Sequence, residues 1–227
     1  MWSAIEEARG LTEAEARTRL GSLLTAYWKP IYIAVRAGWG KSSEDAKDLT
    51  QSFFTWLLSG DVLKKVDRGR GRFRGFLKAA LRNFLANAHR SERQLKRGGG
   101  ETFVSLDMAD PRLEAALPAS DGRSPEQIFD REWARSLLES ALAEYEKRAD
   151  PVDLECLRRF EAGADEAEGP LYDAIAGRLG LTRDNVRHRL ARARSEIREI
   201  LMARIRDYAL DDVELQQELD LLKDAWK

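Results

Sequence analysis

The sequence predicts an all-α protein, with two helical domains joined by an extended linker. Three observations lead there. Apolar residues recur at three- and four-residue steps through almost every long segment, the period of a helix face. No run alternates apolar and polar side chains in the manner of a half-buried strand. Between two periodic halves, residues 101–123 lose the pattern and scatter Gly, Pro, Asp and Ser, a stretch too long for an ordinary connection inside one domain. The domains are therefore expected at 1–100 and 124–227, with 101–123 as the linker. A surface loop packed on the first domain is the alternative for that stretch, and its FVSLD is short enough to be strand-like.

The composition suits a folded chain. Of 227 residues 43% are apolar and six are tryptophan, too many for a disordered protein. The single cysteine, Cys156, rules out an internal disulfide framework and a Cys-rich zinc site; within LECLRRF it reads as a buried thiol. No stretch is apolar enough to span a bilayer, and MWSAIEEARG lacks a signal-peptide core, so a reducing cytoplasm is expected.

Thr12, Glu13 and Glu15 open a first helix that reads through Tyr27, Trp28, Ile31, Tyr32 and Val35, with Pro30 kinking or restarting it and Gly38 and Gly40 ending it. Ser43 is expected to cap a second helix, with Glu44 and Asp45 well placed in its first turn. In DAKDLTQSFFTWLL, steps of about 100° put Ala46, Leu49, Phe53, Trp56 and Leu57 on one face. Asp48, Gln51, Ser52 and Thr55 fall on the other, as solvated surface or as a patch for a basic partner.

A short element at Asp61–Val66 precedes the most basic stretch, Arg68–Arg97. It holds ten Lys and Arg against Glu92 alone, so 10 − 1 = +9 in a chain of net charge −1, and the remainder sums to −10. Phe73, Phe76, Leu77, Ala80, Leu81, Phe84 and Leu85 form its apolar stripe. Such a helix either contacts a polyanion, with aromatics able to stack on bases, or is a core helix with a solvated basic face. It stops at Gly98-Gly99-Gly100.

Past the linker, Ser124-Pro125-Glu126-Gln127 combines a cap, a first-turn proline and a reciprocal Gln. Ile128, Phe129, Trp133, Leu137, Leu138, Ala141, Leu142 and Tyr145 continue that helix. Asp150-Pro151 starts the next, reaching Phe160. The most specific segment follows: PLYDAIAGRLGLTRDNVRHRLARARSEIREIL. Leu171, Ile175, Ala176 and Leu179 stripe a short helix, Gly180 supplies a left-handed turn residue, Leu181 plugs the core and Thr182 caps a second helix. There Val186, Leu190, Ala193, Ile197 and Leu201 lie on one side. Asp184, His188, Arg192 and Ser195 lie opposite, flanked by Asn185, Arg187, Arg189 and Arg198. This is the spacing of a helix-turn-helix, whose second helix enters a DNA major groove; a structural hairpin with a basic surface is the alternative. Arg and Asn are the residue types that read guanine and adenine edges.

Two segments together resemble the extracytoplasmic-function (ECF) sigma factors of bacterial RNA polymerase, and more narrowly the small sigma-like proteins common in planctomycetes. DAKDLTQSFFTWLL with FRGFLKAALRNFLANAHRSERQLKRGGG resembles region two of such factors. YDAIAGRLGLTRDNVRHRLARARSEIREIL resembles region four. The resemblance implies a transcription initiation factor that binds core RNA polymerase and promoter DNA, with an anti-sigma factor as a further partner. It implies that Asp48, Gln51, Ser52 and Thr55 dock on the polymerase, and that Phe73, Arg74, Phe76, Arg82, Asn83 and Arg90 separate and hold the minus-ten strand. Arg183, Asn185, Arg187, His188, Arg189 and Arg192 would read the minus-thirty-five duplex, and the linker would thread toward the polymerase cleft.

The acidic tail, with seven acids from Asp207 onward, carries Val213, Leu215, Leu219, Leu222 and Trp226. It is expected to pack on the second domain or to mask a basic surface. No catalytic triad, metal cluster or phosphate loop is present, since RGRGR and GGG lack the strand and the Lys-Ser/Thr of a nucleotide loop. The expectation is a non-enzyme without cofactor, metal, membrane or small-molecule substrate. A stand-alone regulator, or a sigma-like adaptor that binds polymerase without opening promoters, are the other readings.

Overall fold

The computed structural model describes residues 27–58, 73–91, 117, 122–163, 168–206 and 212–225. The expected start of the first helix, the 61–66 element, the glycine-rich stretches, most of the linker and Trp226 lie outside them. Every described element is helical. Helix α1 covers residues 27–33 and widens into a π turn at Ala34–Gly38. It is followed by α2 (Ser43–Leu58), α3 (Phe73–Ser91), α4 (Pro125–Glu146), α5 (Pro151–Ala162), α6 (Glu168–Leu179), α7 (Arg183–Arg206) and α8 (Asp212–Ala225).

The caps explain several of these starts. Ser124 and Gln127 form the expected reciprocal box: Gln127 N–H donates to Ser124 Oγ at 3.2 Å and Ser124 N–H to Gln127 Oε1 at 2.8 Å. Asp150 Oδ1 accepts from Val152 N–H at 2.8 Å and Asp153 N–H at 3.3 Å, with Pro151 opening α5. At α2 the cap is one residue earlier than expected. Ser42 Oγ accepts from Asp45 N–H at 3.1 Å, while the Ser43 hydroxyl shares a 3.1 Å hydrogen bond with the Tyr32 hydroxyl. Either serine suits a cap locally; the contact to Tyr32 takes Ser43 into the helix.

The described residues form two compact units, one up to Ser136 together with those from Arg206 onward, the other Leu137–Ile205. These units depart from boundaries drawn at 100 and 124, and the reason is packing. Ile128, Phe129 and Trp133 of α4 are buried in the first unit, where the Phe129 ring stacks on Tyr27 at 6.3 Å. Gly38 meets the start of the same helix so closely that a Cβ there would lie 2.7 Å from Pro125 Cα. Its core continues through Tyr32, Phe53, Phe54, Leu57, Phe73, Leu77, Leu81 and Leu85. Full burial of one such side chain contributes roughly 1.5–3 kcal/mol. Burial also drives the Tyr27 phenol well above its usual range, so it stays neutral in the fold.

Helix α8 belongs to this first unit, not to the second domain on which it was expected to pack. Leu215, Glu218 and Leu222, one helical face, are buried, whereas Val213 is exposed.

The second unit is built around α7, whose Val186, Leu190, Ala193, Ile197, Ile200, Leu201 and Ile205 are buried. The Phe160 and Tyr172 rings meet at 5.9 Å, and the Arg194 guanidinium lies 4.5 Å over Phe160. Arg204 reaches Glu144 at 2.6 Å, which holds that carboxyl below its usual range. Cys156 is buried, and burial raises its thiol. That is the protonated, unreactive state expected of a core cysteine.

Candidate nucleic-acid interface

In the second unit, α6 ends in a Schellman turn. Gly180 has φ +64°, and Leu181 N–H donates back to Ala176 C=O at 3.0 Å. Two residues on, Thr182 Oγ1 accepts from Asn185 N–H at 3.2 Å and Thr182 C=O from Val186 N–H at 3.1 Å, which starts α7. The turn and cap fix where α7 begins, and therefore which side chains its first two turns display. Arg183, Asp184, Asn185, Arg187 and His188 are all exposed, with Val186 and Leu190 anchoring the opposite side. Arg183 forms a 3.6 Å ion pair with Asp173 of α6.

The other two expected duplex readers are differently placed. Arg189 Nη1 lies 2.5 Å from Asp153 Oδ1 and 3.3 Å from Asp150 Oδ1. Arg192 donates to Asp153 Oδ2 from Nε at 2.8 Å and also from Nη2. Asp153, in the first turn of α5, is only 2% exposed. Both guanidiniums are thus engaged by a carboxylate to which the sequence reading gave no role. An acid in the first turn of a helix already has a local reason to be there, and that reason hides a pairing 36 and 39 residues away.

In the first unit α3 carries the residues expected at the minus-ten element. Arg82 and Asn83 are exposed and Phe76 is half-buried. Seven residues separate Phe76 from Asn83, two helical turns on the same side. Phe73 and Arg74, by contrast, are interior. Phe73 packs edge-on against Tyr27 at 5.6 Å. Arg74, 3% exposed, gives Nη1 to Asp130 and Nη2 to Glu218, each at 2.8 Å, and lies 4.3 Å over the Trp133 ring. Lys78 joins the same cluster through Asp130 at 2.7 Å. Arg90 lies in the last turn of α3, its side chain outside the described ones.

On α2, Ala46, Thr50, Phe53, Phe54 and Leu57 face the core, and the buried Thr50 hydroxyl donates to Ala46 C=O at 2.7 Å. Asp48 is exposed, and Gln51, Ser52 and Thr55 are half-buried. Among the described residues no helix is long and apolar enough to cross a membrane, and no His, Cys, Asp and Glu gather as a metal site.

A family model described as ECF sigma factor matches residues 36–202, well over half of the chain. The chain belongs to the ECF sigma factor family. It is therefore a regulatory initiation factor that binds core RNA polymerase and promoter DNA. No curated protein and no solved structure matches it. The matched span takes in α2, α3 and the exposed start of α7; α8, with the Glu218 that pairs with Arg74, lies beyond it.

Proposed function

We propose that this sigma factor reads the minus-thirty-five element as duplex with the start of α7 and opens the minus-ten element with α3. The observation that carries the first half is the exposed row Arg183, Asn185, Arg187 and His188, set by the Gly180 turn and the Thr182 cap. Arg and Asn forks match guanine and adenine edges in the major groove, and the surplus cations suit phosphates. For the minus-ten strand, Phe76, Arg82 and Asn83 are the accessible members of the set, and Phe73 and Arg74 hold α3 from inside unless that packing opens. Separating base pairs costs on the order of a kcal/mol per stacked step, which an aromatic platform and cationic backbone contacts must offset.

Asp48, with Gln51, Ser52 and Thr55, forms the polymerase-docking face. Asp48 projects from the side of α2 opposite Phe53 and Leu57, so it is available to a basic partner without disturbing the core.

Runoff transcription with core polymerase on genomic fragments tests the whole reading. Promoter-specific transcripts are expected, together with permanganate-reactive thymines at the minus-ten position. Duplex binding with no requirement for polymerase identifies a stand-alone regulator instead. Polymerase binding with no transcript from any fragment identifies an adaptor.

A further inference from the structure

Resting on the duplex-reading role of α7, we infer that Asp153 is a positioning residue for promoter specificity. From outside the recognition helix, it holds the Arg192 fork toward a single guanine. Arg192 follows Asn185 by seven residues and His188 by four, so it continues their face of α7. Its side chain is 53% exposed although its inner edge meets an acid that is 2% exposed.

The donor inventory makes this arrangement directional. A guanidinium has five N–H groups. Asp153 Oδ2 takes the Nε–H and one from Nη2, which leaves the far edge, both Nη1 hydrogens and the second of Nη2, pointing away from α5. That far edge is the fork that pairs with guanine O6 and N7. A long arginine otherwise loses its rotamer freedom on meeting DNA; one already held at its inner edge loses less.

Arg189 completes the device without reading a base. It is 30% exposed, and its Nη1 is shared between Asp153 Oδ1 and Asp150 Oδ1. It brings a second cation to the buried carboxylate and ties that acid to the capped start of α5.

The test uses the full chain with core polymerase, selecting from duplexes randomised upstream of a fixed minus-ten element. Each upstream base pair of the enriched sequence is then varied singly. The native factor is expected to enrich a guanine whose replacement weakens binding. Asp153→Asn should cut the preference at that pair about tenfold while binding to a scrambled upstream duplex changes less than about twofold. Asp153→Glu should restore part of the preference, and Asp153→Asn should add nothing in an Arg192→Ala background. Arg192→Lys, which keeps the charge but not the fork, should lose the same pair, and Asp153→Glu, compared in native and Arg192→Ala backgrounds, carries the test of the acid if Asp153→Asn does not fold. Unchanged base preference in a folded Asp153→Asn, or in Arg192→Lys, overturns the inference, leaving Asp153 as a brace between helices. Equal gains on selected and scrambled duplex also overturn it, since the acid then only masks charge. A native factor that enriches no upstream sequence removes the duplex-reading role itself, and this inference with it.

Discussion

Replacing Glu218 or Arg74 should destabilise the first unit in a pattern that distinguishes a buried ion cluster from a surface one. Glu218 is fully buried and Arg74 nearly so, while Asp130, the other carboxylate, is 23% exposed. Glu218→Leu preserves bulk and removes one charge-assisted bond, but Arg74 keeps Asp130 and the Trp133 ring; a loss of about 2 kcal/mol follows. Arg74→Met withdraws the cation from both carboxylates, the more buried of which is Glu218, and about 3–5 kcal/mol is expected. The double variant Arg74→Met/Glu218→Leu removes both charges together and should be more stable than Arg74→Met alone. Urea unfolding followed by tryptophan emission suits the question, because all six tryptophans (Trp2, Trp28, Trp39, Trp56, Trp133 and Trp226) fall outside Leu137–Ile205. Emission therefore follows the first unit, and far-UV dichroism follows both. Additive single effects, or an Arg74→Met cost below about 1 kcal/mol, the range of surface pairs, would refute the argument.

Four further expectations concern separate parts of the chain. Asp48→Arg should abolish capture by core polymerase while leaving the fold intact by dichroism; undiminished capture removes α2 as the docking face. Phe76→Ala with Asn83→Ala should spare polymerase binding and reduce permanganate reactivity at the minus-ten thymines, and normal reactivity would count against the role of α3. Gly180→Ala should lower the melting temperature of the second unit, since a side chain at φ +64° costs about 1–2 kcal/mol. Gly177→Ala, in open space within α6, should raise it, through a stabilisation of up to about 1 kcal/mol. In acid, the second unit should lose stability as pH falls below about 4. The N–H groups of Val152 and Asp153, and then Arg189 and Arg192, hold the Asp150 carboxyl below its unfolded value. That contribution is present at neutral pH and disappears as Asp150 protonates. Asp150→Asn should flatten this limb of a pH titration of the melting temperature.

What could be read from the sequence was local. The Gly180–Thr182 turn, the Ser124–Gln127 box and the Asp150-Pro151 start each rest on hydrogen bonds between residues no more than five positions apart, and each stands as expected. The choice of Ser42 over Ser43 was not legible, because a hydroxyl eleven residues away decides it. Nor was the burial of Arg74, although Phe73 stands on the apolar stripe as read. An Arg at the start of a basic helix suits a DNA-facing surface and a packed interior equally, until Asp130 and Glu218 are brought up from distant parts of the chain. The same holds for Arg189 and Arg192, whose pattern on α7 says nothing of an acid on α5. Periodicity identifies a face, and only tertiary contacts tell which charges on it are already engaged.

The grouping of residues from Arg206 onward with those before Ser136 bears on how the protein is made. A ribosome delivers α3 and the start of α4 early, yet Glu218 leaves it only after the whole of Leu137–Ile205. Until then Arg74 has Asp130 but not its most deeply buried partner, and the side of α3 that meets Glu218 stays uncovered. The nascent factor thus passes through a stage in which the Arg74 side of α3 is available to nucleic acid or chaperones. Stalling translation between Ile205 and Glu218 would hold it there.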